Sequence, residues 1–308
     1  MVKEQLVSAP TNHTTRAAAF SDLPPPFSPY LGLLGATIAV SFSAILIKDS
    51  HAPALVIAGY RMVLTSLILV PFLRGPHLAQ IHALDRQSVA KLALSGLLLA
   101  LHFAFWTASL AYTSVASSVL FVSVHPALVA AIGVPLFGER PTGRAVVGII
   151  LTLLGSMVIA GGDIHLGGQA LRGDILATLG ATVFAGYLLI GRSTRQHMDN
   201  LSYSFPVYCL CALILVAVAP VFGQSLTAVD GGDWLNFLGL AVVCTLGGHL
   251  LFNWTLRYVP AAAASVSFLG EPVGAALLAW LLLGQIPPGT SVGGGIIVLV
   301  GIWLTIRS

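Results

Sequence analysis

Eleven side chains are acidic, and only one of them, Glu271, falls in the middle of a long apolar run. An ionised carboxylate in hydrocarbon costs at least about 2.5–3.5 kcal/mol on insertion scales. Glu271 must therefore face a polar cavity, pair with a base or hold a proton. That makes it a candidate proton or substrate site; a structural bond to a neighbouring helix is the alternative. Pro272 follows directly. It removes a helix hydrogen bond and is expected to free the carbonyl of Phe268, so the pair reads as a binding group beside a hinge. Gly270 and Gly274 form a Gly-x-x-x-Gly pair that permits close helix contact.

Other polar residues sit in similar places. His125 precedes Pro126; Pro126 is a second expected hinge, and a mid-span histidine is a candidate proton carrier. Arg61 lies seven residues into an apolar run. It could snorkel to the interface, bind a substrate carboxylate, or pair with Glu271. His102 and Trp106 stand at i, i+4, and so do His249 and Asn253, with Trp254 adjacent. An aromatic surface with a few polar contacts suits an amphiphilic ligand, while interhelical bonding explains the same residues structurally. Tyr187 is a further candidate wall residue, whereas Trp234 and Trp303 fit interfacial belts. One histidine per helix gives no zinc spacing, so no metal site is expected. With no Asp read inside a span, no Ser/His/Asp set arises and no catalytic residue is assigned.

These residues are embedded in an unusually apolar chain. Of 308 residues, 56% are hydrophobic and 8% charged, against about 25% charged in a soluble domain; the mean hydropathy is +0.92. A soluble globule, a disordered chain and a typical nucleic-acid binder are excluded. The net charge of +3 is spread over short loops and reports orientation. Cys209, Cys211 and Cys244 lie in apolar runs and read as small hydrophobes.

A spanning helix needs about 20 mostly apolar residues. Ten runs qualify: Tyr30–Ile47, Ala54–Leu73, Leu92–Ala111, Val115–Phe137 and Ala145–Gly162, then Ile175–Gly191, Leu201–Gly223, Trp234–Leu256, Ala261–Leu283 and Gly289–Ile306. The fold expected is an all-α polytopic membrane protein. Residues 1–28 are polar, with prolines at Pro24–Pro26. They read as a disordered cytoplasmic tail without a signal-peptide core. With the N-terminus inside, Lys3, Arg16, Arg74, Arg86, Lys91, Arg140, Arg144, Arg192, Arg195, Arg257 and Arg307 all lie inside. Only Lys48 and Arg172 lie outside. The positive-inside rule thus places both termini in the cytoplasm.

The halves repeat. Leu34-Gly35-Ala36-Thr37 recurs as Leu179-Gly180-Ala181-Thr182. From the end of the third span a shift of 146 residues aligns His125-Pro126 with Glu271-Pro272, Gly148 with Gly294, and Gly155 with Gly301. Five spans per copy is odd, so residues 29–165 and 170–308 form a 5+5 inverted repeat. Two copies in opposite orientations can exchange conformations and so exchange the open side. This alternating access favours a secondary transporter over an anchor or an enzyme.

The chain resembles the EamA-type branch of the drug/metabolite transporter superfamily over nearly its whole length. The motifs are Tyr112-Thr113-Ser114-Val115-Ala116 through His125-Pro126 to Gly138-Glu139-Arg140. Their counterparts are Leu256-Arg257-Tyr258-Val259-Pro260 through Leu269-Gly270-Glu271-Pro272 to Gly284-Gln285. Arg61 matches the family's arginine in the second span, and Gln285 departs from its usual Glu. The resemblance implies export of a small metabolite, amino acid or drug across a bacterial inner membrane without ATP or another cofactor. Its partners would be the solute and the lipid bilayer, with protons as the candidate coupling ion and no nucleic acid. An uncoupled facilitator or exchanger, or a structural or lipid-handling protein, are the alternatives.

Overall fold

A computed structural model describes residues 25–137, 141–160, 168–284, 286 and 289–307. Among these the regular structure is entirely helical. Ten helices are long and apolar enough to cross a membrane. They are α1 (Pro29–Asp49), α2 (Ala54–Phe72), α3 (Arg86–Ser109), α4 (Val115–Gly133) and α5 (Gly143–Ala160), then α6 (Gly168–Arg195), α7 (Asn200–Phe222), α8 (Asp233–Thr255), α9 (Ala261–Leu278) and α10 (Gly289–Ile306). Helical structure continues to Phe137 after α4 and to Leu283 after α9. A short helix, Gly75–His82, links α2 to α3.

The number of spans agrees with the sequence pattern, but two helices begin earlier. α3 starts at Arg86 because the Asp85 carboxylate caps it, accepting from the Ser88 amide at 2.9 Å. α6 starts at Gly168, which brings Asp174 inside the helix. Asp174 is buried, not a loop residue: Oδ1 accepts from Thr113 Oγ1 at 3.0 Å and Ser117 Oγ at 2.7 Å. Hydropathy missed it because the hydroxyls that satisfy it come from another part of the chain. The expected tail ends short of residue 28, since Phe27 stacks on Trp254 at 4.6 Å and α1 opens with Pro29 in its first turn. Residues 1–24, Gly138-Glu139-Arg140, Gly162, Gln285 and Pro287-Pro288 lie outside the described residues.

Helix bounds repeat at the shift of 146. Gly143–Ala160 corresponds to Gly289–Ile306, and His125–Phe137 to Glu271–Leu283. The starts Ala54 and Asn200, and the ends Ser109 and Thr255, follow the same shift. α4 and α9 are both interrupted just before their proline: α4 divides into Val115–Val122 and His125–Phe137, and α9 tightens to a 3-10 turn at Phe268–Gly270.

Two pairs of equivalent helices, α5 with α10 and α2 with α7, pack on one another antiparallel. In α5 and α10, Gly148 faces Gly301 and Gly155 faces Gly294. A methyl group added at Gly155 would stand 2.7 Å from the Gly294 carbonyl oxygen, and one at Gly294 would stand 2.6 Å from that of Gly155. Only glycine allows backbones this close, which lets dispersion contacts hold the helices where lipid removes the hydrophobic drive. α2 and α7 are likewise antiparallel: Leu55 N donates to Gln224 Oε1 at 2.8 Å, and Gly59 packs on Leu215 and Val216. The Gly270/Gly274 pair expected to permit close contact packs on Thr37 and Ser41 of α1.

This seam yields a test. Gly155→Val forces α5 from α10 and should destabilise the detergent-solubilised protein by about 1–3 kcal/mol, the usual cost of overpacking. Gly293→Ala, with nothing within 4 Å of the new methyl, should leave the thermal midpoint unchanged or slightly raised.

Candidate functional site

At the centre of the bundle α1, α3 and α4 meet α6, α8 and α9 around a cavity of about 30 Å³, room for about two water molecules. Its wall includes Ser43 of α1, His102 and Trp106 of α3, His125 of α4, Phe184 of α6, His249 of α8, and Phe268 and Glu271 of α9. Five of the nine candidate binding residues from the sequence therefore converge here: Glu271, His125, His102, Trp106 and His249. Val122 and Phe268, and His125 and Glu271, are equivalent positions of the two halves, so the cavity lies between like elements.

Phe184 forms the hub. Its ring stacks on His102 at 4.3 Å and meets His125 edge-on at 5.1 Å, with His249 and Phe268 at 5.9 and 5.8 Å. Neither Phe184 nor Phe268 stands out in the sequence, since aromatic residues are ordinary in apolar helices.

Local backbone chemistry orients the polar groups. Pro126 has no N–H, so the Val122 carbonyl loses its helix donor. His125 Nδ1 donates to that carbonyl instead, at 2.9 Å. His102 Nδ1 donates to the Gly180 carbonyl at 3.1 Å. A carbonyl only accepts, so Nδ1 carries the hydrogen in both rings, and in the neutral ring Nε2 presents a lone pair. Pro272 is handled differently. The expected free Phe268 carbonyl is absent, because the 3-10 turn gives it the Glu271 N–H.

α8 is wound as a π-helix over Leu240–Leu250, a rare form concentrated at functional sites. Thr245 Oγ1 donates to the Leu240 carbonyl five residues back at 2.9 Å and accepts from Arg61 Nε at 2.7 Å. Arg61 does not snorkel. It is 1% exposed, donates from Nη1 to Ser43 Oγ at 3.2 Å, and lays its guanidinium over the Phe103 ring at 4.2 Å. Nor does it form an ion pair with Glu271. Among the described residues the ion pair found is His77–Asp199, at 3.7 Å.

Besides Arg61, three sequence candidates stand outside the wall. Asn253 and Tyr187 are fully buried and bond to each other at 2.8 Å, and Trp254 stacks between Phe27 and Tyr258. Helical spacing placed Asn253 below His249 correctly, but hydroxyls from α6 and α7 occupy it before it can reach the cavity.

What distinguishes the site is unspent hydrogen-bonding capacity. Trp106 Nε1, His125 Nε2, His249 Nδ1 and Glu271 Oε1 are buried and have no partner, and neither has Arg61 Nη2 just behind Ser43. Each such group costs about 1–3 kcal/mol. Among the described residues only Asp174 Oδ2, Thr194 Oγ1 and Asn200 Oδ1 share this state elsewhere. Five of these eight groups thus lie at or just behind the cavity wall, where acceptors, donors and aromatic faces come together.

Comparison with known proteins agrees with this architecture. A probable amino-acid metabolite efflux pump of Salmonella typhimurium is 26% identical over 90% of this chain and 94% of its own length. A pseudopaline exporter of Pseudomonas aeruginosa is 24% identical over 87% of this chain and 93% of its own. A crystal structure at 18% identity superposes with a TM-score of 0.73 over 91% of this chain and 96% of that one, which shows the fold. The EamA-like transporter family model matches residues 27–161 and 171–307. With both halves matched, this ten-helix membrane protein belongs to the EamA-like transporter family, whose members are transporters and not enzymes.

Proposed function

We propose that the chain is a secondary transporter of the bacterial inner membrane that exports a small amino-acid-type metabolite by alternating access. Its two units, 29–165 and 170–308, would be an inverted repeat with both termini cytoplasmic. The antiparallel pairing of α5 with α10 and of α2 with α7 supports that arrangement. The observation that carries the function is the cluster of unpaired buried groups in the central cavity. An amine can donate to Glu271 Oε1 and His125 Nε2. A carboxylate can accept from Trp106 Nε1 and Arg61 Nη2. Phe184 and Phe268 supply apolar faces for the rest of the solute. The relatives named for efflux and export support the direction and the cargo class.

A cavity of about 30 Å³ is smaller than an amino acid, so the helices must part to load it. The breaks before Pro126 and Pro272 are where α4 and α9 can bend. Glu271 then has two possible partners, an ammonium of the solute or a proton, and its single negative charge is neutralised by one or the other. Exchange of one for the other across the cycle would couple efflux to a proton gradient.

In proteoliposomes, Glu271→Gln should cut pH-gradient-driven transport at least tenfold while leaving the thermal midpoint within a few degrees. Full retention removes the proton role, and counterflow with no response to pH selects an uncoupled exchanger. A thermal-shift screen over amino acids, nucleosides and cationic drugs should find stabilisation by amino acids that Glu271→Gln weakens. Stabilisation by lipids alone selects the lipid-handling alternative.

Arg61→Lys should also be costly, lowering stability by about 1–3 kcal/mol, because an ammonium loses the planar stack on Phe103 and one of the two hydroxyl bonds. Thermal unfolding in detergent measures it.

A further inference from the structure

The helices are bonded differently at the two ends of the cavity. One turn beyond Phe184 and His249, toward the C-terminal ends of α6 and α8, Tyr187 donates to Asn253 Oδ1 at 2.8 Å. Asn253 Nδ2 in turn reaches Ser204 Oγ and Tyr208 of α7, each at 3.2 Å. Further along, Arg195 Nε donates to the Asn253 carbonyl at 3.1 Å and Arg192 Nη1 to the Leu256 carbonyl at 2.8 Å. Gln196 Nε2 reaches the Arg257 carbonyl at 3.4 Å. This end is fastened by hydrogen bonds that tie α8 to α6 and α7, those of Asn253 fully buried.

At the other end the equivalent helices are α1 and α3. The shift of 145 that aligns Leu34–Thr37 with Leu179–Thr182 puts Phe42 and Ile47 in place of Tyr187 and Arg192. The shift of 146 puts Thr107 in place of Asn253, and Ala58 and Met62 in place of Ser204 and Tyr208. Ser41 Oγ donates to Thr37 of its own helix at 2.8 Å. Among the described residues α1 and α3 exchange no hydrogen bond. The fasteners at this end run elsewhere. Asp233 of α8 holds Ser50 Oγ and the His51 amide at the end of α1, at 2.6 and 2.8 Å. Asp174 of α6 holds Thr113 and Ser117 at the start of α4. Arg61 bonds at the depth of the cavity itself, through Ser43 and Thr245.

We infer that the knot around Asn253 is the lock of one gate, the cytoplasmic one in the orientation given above, and that the protein rests with this gate shut. The inference rests on the transport reading. Opening the α6/α8 side exchanges several hydrogen bonds between packed groups for bonds to entering water, a net loss for each. Opening the α1/α3 side breaks no hydrogen bond between those two helices; the bonds of Asp233 and of Asn236 with Asp49 tie the end of α1 to α8. The two halves share a fold, yet their two open states differ in free energy. A solute entering from the cytoplasm must supply that difference through its contacts in the cavity. Tyr187 and Asn253 are thus positioning residues for transport although neither lines the site.

Hydrogen exchange on the purified full-length protein tests this without any transported solute. Tyr187→Phe removes one hydroxyl and keeps the ring; Asn253→Leu removes the hub. Both should speed amide exchange about tenfold in residues 187–196 and 252–258, with residues 41–49 and 107–113 unchanged. No acceleration in either variant, or equal acceleration at both ends, overturns the lock. Failure of the transport reading is a separate result: no solute moves in vesicles while the exchange asymmetry persists.

Discussion

Hydrocarbon offers no hydrogen bonds, and the architecture follows from that single deficit. Every buried polar group must find its partner inside the protein. Thr37, Ser41, Thr65 and Ser66 return their hydroxyl protons to the carbonyl four residues back. Arg61 distributes its donors between Ser43 and Thr245 and rests its flat face on Phe103. Asp174 draws on two hydroxyls from the start of α4 and the turn before it. Against this thrift, five of the eight unpaired buried groups among the described residues gather at or just behind the wall of the central cavity.

The same deficit explains how the bundle is held and where it can move. Without a hydrophobic drive between helices, α5 and α10 cohere through a glycine seam that brings backbone against backbone. Glycine faces glycine there, with Thr152, Ile159, Val298 and Thr305 packed beside the contact, so the seam suits a fixed element. α4, α8 and α9 are the opposite case. Each departs from regular α geometry beside the cavity, by a break before His125, a π-helical stretch ending near His249 and a 3-10 turn before Glu271. The two prolines do not act alike. At Pro126 a histidine side chain replaces the missing amide, whereas at Pro272 the backbone tightens to use the Glu271 amide. Equivalent positions thus hold different chemistry on one scaffold.

Much of the site was legible because hydrocarbon makes polar residues conspicuous. Glu271 and His125 stood out as mid-span groups, and i, i+4 spacing put His102 and Trp106 on one face. The inference failed where a partner from a distant helix decided the outcome. Arg61 looked able to reach the interface, yet hydroxyls of α1 and α8 hold it inside. Asn253 and Tyr187 looked like cavity walls, yet they satisfy each other. Asp174 looked like a loop residue because the hydropathy of its own segment could not include Thr113 and Ser117.

The sequence by itself determined the number of spans, the duplication and the family, because each depends on local composition or on residue order along one chain. The lipid requirement for long apolar helices leaves little freedom there. Tertiary structure alone decided which polar groups are spent and which remain open. Hydrogen bonding between helices depends on distance and direction across the bundle, and a residue's type reveals neither. The asymmetry between the two ends of the cavity is of the same kind: equal folds, unequal bonds, visible only once Tyr187, Asn253 and Arg195 are seen to meet.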